Sequence, residues 1–211
     1  MIMKISVNRG KQNKIHISCD GEYVFTVDAE YWFSSPYYGK ETIENEEELA
    51  AFYEAVGSRC AFIAGLRILS YRDHSAKETV TKLVQKGHKR EYAESAVEKL
   101  KEYGYINDER YAQYLAESLY ERKGMNTRAI KSELRLKGIS PEIADNVLEG
   151  LDFDPVLRII DLLNTKYSKK ISDEKGVKRT VASLQRLGYK WSDINSAFRR
   201  LEIETEDIDD V

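Results

Sequence analysis

One pattern of apolar positions occurs three times along the chain, about fifty residues apart. In each copy a leucine lies four residues before a glycine, and an apolar stripe follows that glycine. The glycines are Gly87, Gly138 and Gly188, the leucines are Leu83, Leu134 and Leu184, and the stripes are Ala93–Ala96–Val97–Leu100, Ala144–Val147–Leu148–Leu151 and Ile194–Ala197–Phe198–Leu201. Because each stripe follows the spacing i, i+3, i+4, i+7, it predicts one buried face of an α-helix. Such a period predicts a repeat array whose units pack against their neighbours.

The first part of the chain has a different pattern, which predicts β-structure. Lys14–Cys19 and Glu22–Val27 are rich in β-branched and aromatic residues, and Asp20–Gly21 lies between them. Because glycine tolerates a positive φ, this dipeptide suits a type I′ hairpin turn. Ile2–Val7 is a candidate third strand. We therefore predict a small β segment at the start of the chain.

Helix-start signals divide the rest of the chain into units of three helices. Ser75 has a capping-box partner in Glu78, and Ser140–Pro141 and Asp154–Pro155 each place a capping side chain before a proline. We predict a mainly α-helical fold of three tandem three-helix repeats in an elongated array. The predicted boundaries are 1–44 for the β segment, 45–104 for a linking helix and the first repeat, 105–152 for the second repeat, 153–203 for the third repeat and 204–211 for an acidic tail.

A group of tyrosines lies where the first repeat joins the second. We expect them to pack between helices, and stacking of nucleic-acid bases on one or two of them is the less favoured alternative. They are Tyr103, Tyr105, Tyr111, Tyr114 and Tyr120.

The net charge of −3 conceals separate acidic and basic segments. Residues 41–54 include six glutamates and no basic residue, and residues 202–210 include six acidic residues and no basic one. Residues 122–137 include six basic residues and one acid, and residues 166–190 include eight basic residues and two acids. This asymmetry predicts a surface that faces a polyanion.

The basic residues recur at equivalent positions of the three repeats. Ten residues before each repeat glycine lies Lys77, Arg128 or Lys178, which the pattern places in the first turn of the second helix of its repeat. Further basic residues share a helical face within each repeat, and the predicted polyanion-binding set is Lys77, Lys82, Lys86, Arg128, Lys131, Arg135, Lys178, Arg179 and Arg186. An ordinary solvated helix face would also contain lysine and arginine, but few acids intervene on these faces.

The sequence predicts no catalytic, cofactor or metal site. It contains no glycine-rich phosphate loop and no nucleophile elbow. Cys19 and Cys60 lack the spacing of metal ligands or of a disulfide framework, and small buried side chains are the favoured interpretation. No signal-peptide pattern is present, and no apolar stretch approaches the ~20 residues that a membrane-spanning helix needs. We predict a cytoplasmic protein that is not an enzyme, needs no cofactor and has no membrane partner.

The same residues resemble the motifs of the RecX family of recombination regulators. The resemblance runs in order from Ala64 to about Leu151, and the third repeat keeps the spacing with a weaker residue match. Asn107 replaces the acidic residue that is usual in the family, and it remains able to cap a helix. The matching segments are Ala64-Gly-Leu-Arg-Ile-Leu, Arg72-Asp-His-Ser75, Lys82-Leu-Val-Gln-Lys-Gly87, Gly104-Tyr-Ile-Asn-Asp-Glu-Arg-Tyr-Ala112, Gly124 and Glu133-Leu-Arg-Leu-Lys-Gly-Ile139.

The resemblance implies a regulator of the RecA recombinase. It implies binding to the RecA filament on single-stranded DNA, and inhibition of the ATPase, strand-exchange and coprotease activities of RecA in recombination, DNA repair and the SOS response. It implies no catalytic activity or cofactor. We predict a monomer whose partner is the RecA filament, with single- or double-stranded DNA as a further candidate partner. The alternatives are a helical module that binds DNA directly, with secondary effects on RecA, and a helical adaptor for another protein.

Overall fold

The chain divides into two compact units, Met1–Asn107 and Asp108–Val211. The computed structural model describes residues 2–151 and 153–203, so the predicted acidic tail lies outside the described residues. The described part is mainly α-helical with one small antiparallel sheet at its start, which confirms the predicted fold class.

The sheet contains the three predicted strands and a fourth that the sequence pattern did not indicate. The strands are β1 Met3–Arg9, β2 Lys14–Cys19, β3 Glu22–Asp28 and β4 Thr42–Ile43, in the order β3-β2-β1-β4. Asp20 and Gly21 have φ values of 49° and 85°, as a type I′ turn between β2 and β3 requires. The fourth strand has only two residues, which is too short for a recognisable alternation of apolar and polar positions.

The sheet packs on a long helix of the first unit, α2 (Glu46–Leu69), after a short helix α1 (Ala29–Ser34). Trp32 of α1 and Phe52 of α2 are almost completely buried in the core of the sheet. Asp28 caps α1 by accepting a hydrogen bond from Tyr31 N, and it forms an ion pair with Arg59 of α2 at 3.1 Å. Burial alone would raise the pKa of Asp28, but the Tyr31 amide and the Arg59 guanidinium outweigh burial and lower it. Asp28 therefore fixes the end of the sheet against α2 as an ionised carboxylate.

The length and apolar composition of α2 correct one expectation. Of the helices in the described residues, α2 alone is long and apolar enough to be compared with a membrane-spanning helix. However, Phe52 and Val56 are buried in the sheet core, while Ala61 and Ile68 are buried against helices that follow. A helix that packs against neighbours on several sides is apolar around most of its circumference. We therefore identify α2 as a core helix of the first unit.

The first unit is completed by α3 (Ala76–Gln85) and α4 (Arg90–Glu102), which pack with α2 as a three-helix group. Ser75 caps α3 by accepting a hydrogen bond from Glu78 N at 3.1 Å, as its capping-box spacing predicts. The apolar stripe of α4 is buried throughout, and its members are Ala93, Ala96, Val97 and Leu100.

Residues 108–151 and 153–203 of the second unit form six helices in two further groups of three. Asn126, Ser140 and Asp154 cap α6, α7 and α8 with their side chains, as the sequence indicates. The helices are α5 Asp108–Lys123, α6 Thr127–Leu136, α7 Pro141–Glu149, α8 Pro155–Asn164, α9 Glu174–Arg186 and α10 Trp191–Arg200. Of the α7 stripe only Ala144 is fully buried, whereas Ile194, Ala197 and Phe198 of α10 are all fully buried.

The repeated leucine and glycine have the same structural role in all three groups. Each glycine has a positive φ, of 92°, 82° and 94° along the chain. The amide of the residue after the glycine donates a hydrogen bond to the carbonyl oxygen of the leucine, and the leucine side chain is fully buried. These are the bonds of a Schellman motif, which ends a helix and turns the chain. The glycine therefore ends α3, α6 and α9 at the point where the leucine anchors each helix in its core.

Three of the five clustered tyrosines are exposed, whereas we expected all five to pack between helices, although the Tyr103 ring still contacts the Phe62 ring of α2 with their centres 5.9 Å apart. Tyr111 is buried and Tyr120 is half-buried, but Tyr103, Tyr105 and Tyr114 are exposed. The helical spacing of a tyrosine does not distinguish a buried ring from one whose hydroxyl and edge remain in water.

Candidate functional site

The three basic residues that precede the repeat glycines are all exposed, but they do not all lie in a first turn. Lys77 is the second residue of α3, and Arg128 is the second residue of α6. Lys178 is the fifth residue of α9, so its predicted position in a first turn is wrong. The reason is that Asp173 caps α9 about one turn earlier than the caps of α3 and α6, by accepting a hydrogen bond from Gly176 N at 2.6 Å.

The predicted stripe on α6 divides into exposed and paired members. Arg128 and Arg135 are exposed, whereas Lys131 is half-buried and its ammonium group contacts Asp145 of α7. On α9, the Lys178 ammonium lies 2.6 Å from Glu174 Oε1. A carboxylate that close offsets much of the positive potential of a lysine. Lys131 and Lys178 are therefore weaker candidates for binding an anion than Arg128 and Arg135.

Two other predicted residues, Lys82 and Lys86, line a cleft in the first unit. The cleft has a volume of about 630 Å³ and lies between the end of α2 and the end of α3. Its other lining residues are Arg67, Ile68, Tyr71, Arg72, His74 and Gln85, and we call it the α2–α3 cleft. It combines four cationic side chains with one exposed aromatic ring, and no carboxylate lines it.

The remaining predicted residues, Arg179 and Arg186, line a cleft of about 520 Å³ in the second unit. We call it the α8–α9 cleft, and its other lining residues are Tyr167, Lys169, Lys170, Ser172, Asp173, Lys175, Gly176, Thr180 and Ser183. The lysine-containing connection after α8 lies very close to α9, since a Cβ atom at Gly176 would be only 1.9 Å from the carbonyl oxygen of Lys170. Glycine at this position therefore permits the connection to approach α9.

Most of the predicted basic side chains lack a counter-charge in the part of the chain that the structure describes. Within residues 2–151 and 153–203, none of seven side chains forms an ion pair, namely Lys77, Lys82, Lys86, Arg128, Arg135, Arg179 and Arg186. The positive electrostatic potential of a cation that forms no ion pair remains available to attract an anionic partner. These seven residues are therefore the strongest members of the predicted set.

Sequence reasoning missed the residues that complete the two clefts. Arg67 lies in the last turn of α2 and Tyr71 follows its C-cap residue, at the opposite end of the helix from its acidic first turn. Lys169 and Lys170 belong to the basic segment 166–190, and that segment was the available signal. Sequence spacing does not show that these residues lie close to residues of the next helix, because that proximity depends on tertiary packing.

Burial shifts the pKa values of two further titratable groups in the first unit. His74 is buried beside Arg72, and burial followed by that positive charge lowers the pKa of His74 despite the nearby Glu78 carboxylate. Burial raises the pKa of the Cys60 thiol to about 11, so this thiol is protonated at neutral pH. Among the described residues, no group of three or more histidine, cysteine and acidic side chains is placed to hold a metal ion.

Comparison with known proteins identifies the three-helix groups of the first and second repeats. Residues 61–100 match the family model of the first three-helix domain of RecX, and residues 107–148 match that of the second three-helix domain. The crystal structure of a regulatory protein RecX superposes with a TM-score of 0.66 at 22% identity, covering 93% of this chain and 99% of that one. RecX from Lactobacillus salivarius superposes with a TM-score of 0.57 at 25% identity, covering 71% of this chain and 99% of that one.

Curated relatives match most of the chain. The regulatory protein RecX of Caldanaerobacter subterraneus subsp. tengcongensis is 31% identical over 202 residues, which is 93% of this chain and 98% of the relative. The regulatory protein RecX of Bacillus subtilis is 26% identical over 211 residues, which is 98% of this chain and 79% of the relative. On the two matched domains and these relatives, the chain belongs to the RecX family of regulatory proteins.

Proposed function

We propose that this protein regulates RecA by binding the RecA filament on single-stranded DNA. Its family supports a regulatory role, and the relatives that match it bear the name regulatory protein RecX. The observation that carries the proposal is the set of basic side chains on α3, α6 and α9 that form no ion pair within the described residues, led by Lys77, Arg128 and Arg135. Repetition of such residues on the second helix of each group suits a partner that is itself a repeating polymer.

In this proposal the basic side chains of the protein contact carboxylate or phosphate groups of the RecA filament on DNA. Arginine donates paired hydrogen bonds to both groups, which favours Arg128 and Arg135 over the lysines already held by Asp145 and Glu174. In this proposal the bound protein, a cytoplasmic monomer, inhibits the ATPase, strand-exchange and coprotease activities of RecA during recombination, DNA repair and the SOS response. Because these contacts are electrostatic, the inhibition should weaken as salt concentration rises.

Direct binding of DNA, with secondary effects on RecA, is the second candidate function. The same unpaired cations support it, since phosphate contacts provide most of the affinity of non-specific DNA binding. The two candidate functions predict different relative affinities of the protein for bare single-stranded DNA and for the RecA filament at physiological salt. Tighter binding to the filament supports the proposal, and equal affinities favour direct DNA binding.

The test reverses the charge of two exposed arginines on one helix. We expect Arg128→Glu with Arg135→Glu to weaken co-sedimentation with RecA filaments and to restore the single-stranded-DNA-dependent ATPase of RecA. Both side chains are exposed, so the helix content measured by circular dichroism should be unchanged. The matched control is Arg199→Glu with Arg200→Glu, which makes the same charge change on exposed residues of α10 outside the predicted set.

The control variant should inhibit RecA as the unmodified protein does. Full inhibition by the α6 variant would contradict binding through this surface. Equal loss in both variants would show that the effect depends on net charge alone.

A further inference from the structure

The α2–α3 cleft contains an aromatic ring that the packing of the first unit does not use. Tyr71 follows the C-cap residue of α2, and it is 88% exposed, the highest value among the large apolar and aromatic residues that the structure describes as exposed. Its backbone amide donates to the carbonyl oxygen of Ile68, so the chain position is fixed while the side chain extends into solvent. An exposed aromatic ring beside a cavity is a surface that can accept a flat apolar partner.

Four cationic side chains line the same cleft. Arg67 belongs to the last turn of α2, Arg72 follows Tyr71, and Lys82 and Lys86 lie at the end of α3. Within the described ranges none of the four forms an ion pair. The Glu78 carboxylate lies 3.4 Å from Nδ1 of the lining residue His74.

We propose that the α2–α3 cleft binds a short segment of single-stranded nucleic acid, with one base stacked on Tyr71 and the neighbouring phosphates held by Arg67, Arg72, Lys82 and Lys86. Proteins that bind single strands without sequence preference combine a positive groove with an aromatic platform, because every base presents a π-face. The cleft provides both parts within one unit. Its volume of about 630 Å³ lies within the range of small-ligand sites and accommodates a nucleotide.

The aromatic ring favours a nucleic acid over an acidic protein segment. A carboxylate-rich peptide would need only the cations, and it would leave the Tyr71 ring in water. Burial lowers the pKa of His74, so this lining residue is neutral at pH 7 and presents no further charge.

The walls of the cleft are held in place without a ligand. Leu83 is fully buried next to Lys82 in the chain, and its carbonyl oxygen accepts the hydrogen bond that ends α3. Ser75 and Thr79 fix the start of α3, since the Thr79 hydroxyl donates to the carbonyl oxygen of Ser75 at 2.9 Å. A site with rigid walls loses less conformational entropy when its ligand binds.

The proposal rests on the second candidate function, direct binding of DNA, and assigns a site and an aromatic platform to it. The experiment measures the binding of a fluorescently labelled oligothymidylate to the full chain by anisotropy. We expect Tyr71→Ala to weaken binding by about 5- to 150-fold, the effect of removing one base–aromatic stack. Tyr71→Phe should bind as the unmodified protein does, since it keeps the ring and removes only the hydroxyl group.

The matched control is Tyr38→Ala, which removes another exposed tyrosine of the first unit that does not line the α2–α3 cleft. It should leave binding unchanged. An abasic oligomer with the same number of phosphates should bind the unmodified protein more weakly than oligothymidylate does. The same oligomer should bind Tyr71→Ala and the unmodified protein equally, because neither complex then includes a stacked base.

Three results of the binding measurements would overturn the proposal. They are unchanged affinity of Tyr71→Ala for oligothymidylate, equal affinity of the unmodified protein for the abasic oligomer, and full competition by polyglutamate, which would identify the cleft as a site for acidic protein segments. Photo-crosslinking of 5-iodouracil oligonucleotides should label the peptide that contains Tyr71, and labelling only elsewhere would place the bound strand outside this cleft. The oligonucleotide measurement contains no RecA, whereas the ATPase assay tests regulation of RecA. A failure of the proposed regulatory function can therefore be distinguished from a failure of this proposal.

Discussion

The side-chain amide of Asn126 donates a hydrogen bond to the backbone carbonyl oxygen of Gly188. The backbone amide of Asn126 also donates to the carbonyl oxygen of Leu187 at 3.0 Å, and its Oδ1 atom accepts from Ala129 N at 2.9 Å. One residue thus caps α6 and binds the turn that ends α9. Within the second unit, the repeat glycine of the third group is therefore part of the contact with the second group.

This contact predicts that two glycines with the same backbone conformation differ in their tolerance of alanine. Gly87 and Gly188 have φ values of 92° and 94°, so alanine costs about 1 kcal/mol at either position. A Cβ atom at Gly87 meets open space, whereas at Gly188 it would lie 2.4 Å from Asn126 Oδ1. We expect Gly188→Ala to lower the free energy of unfolding clearly more than Gly87→Ala does, as measured by urea titration.

A second variant separates the steric effect from the conformational one. Asn126→Ala removes the nearest clashing atom and leaves the Ala129 Cβ atom, 2.9 Å away, so Gly188→Ala should cost less in that background than in the unmodified protein without becoming free of strain. Equal losses for the two glycine variants, with no coupling to Asn126, would contradict a structural role of this contact.

A second connection inside the second unit depends on Arg158. Its Nη2 atom donates to the carbonyl oxygens of Tyr120 and Glu121 at 2.8 and 2.7 Å, and its Nη1 atom contacts Asp161. The guanidinium carbon lies 4.8 Å from the centre of the Tyr120 ring. A charged side chain on α8 therefore adds hydrogen bonds to carbonyl groups at the end of α5, where the Tyr120 carbonyl oxygen also accepts from Gly124 N at 3.0 Å.

We expect Arg158→Ala to lower the free energy of unfolding by about 2–3 kcal/mol, because it removes hydrogen bonds from a charged donor that is mostly shielded from water. Arg158→Lys should recover only part of this loss, since an ammonium group cannot reproduce the paired geometry of a guanidinium. Arg199→Ala, on the exposed surface of α10, is the control and should change stability by less than about 0.5 kcal/mol. Wild-type stability of Arg158→Ala in urea unfolding would refute this role.

The features that the sequence predicted are those determined by neighbours along the chain. A leucine four residues before a glycine predicts the turn that ends α3, and Ser75 with Glu78 predicts where that helix begins. The hydrogen bond from Asn126 to Gly188 joins residues 62 positions apart, and the one from Arg158 to Tyr120 joins residues 38 positions apart. No local pattern specifies either of them. The predicted basic set was incomplete for the same reason, because the clefts bring together residues of successive helices.

The contact of Gly176 predicts a local effect on the α8–α9 cleft. A Cβ atom at this position would lie 1.9 Å from the carbonyl oxygen of Lys170, so Gly176→Ala forces the lysine-containing connection away from α9. We expect this variant to lose stability and to weaken RecA inhibition without any change in charge. Gly150→Ala is the matched control, since its Cβ atom would be 3.7 Å from its nearest neighbours at a negative φ of −75°. Equal behaviour of the two variants would contradict the proposed close contact.

Two histidines of the first unit predict a loss of stability in weak acid. Burial, followed by the charge of Arg72, lowers the pKa of His74, and burial with the charge of Lys86 lowers the pKa of His88. Below about pH 6.5 the unfolded chain therefore binds more protons than the folded chain, and the free energy of unfolding falls as the pH falls. The slope is at most about 1.4 kcal/mol per pH unit for each histidine, since it corresponds to one proton.

Urea unfolding at pH 7.5, 6.5 and 5.5 measures this dependence while the carboxylates stay largely ionised. Asp28 in particular contributes little in this range, because its pKa is lowered in the folded protein. The double variant His74→Gln, His88→Gln should lose most of the decrease between pH 6.5 and 5.5, since glutamine keeps a polar side chain and does not titrate. If the variant and the unmodified protein lose the same free energy over this interval, the acid sensitivity arises from other groups and the two histidines do not cause it.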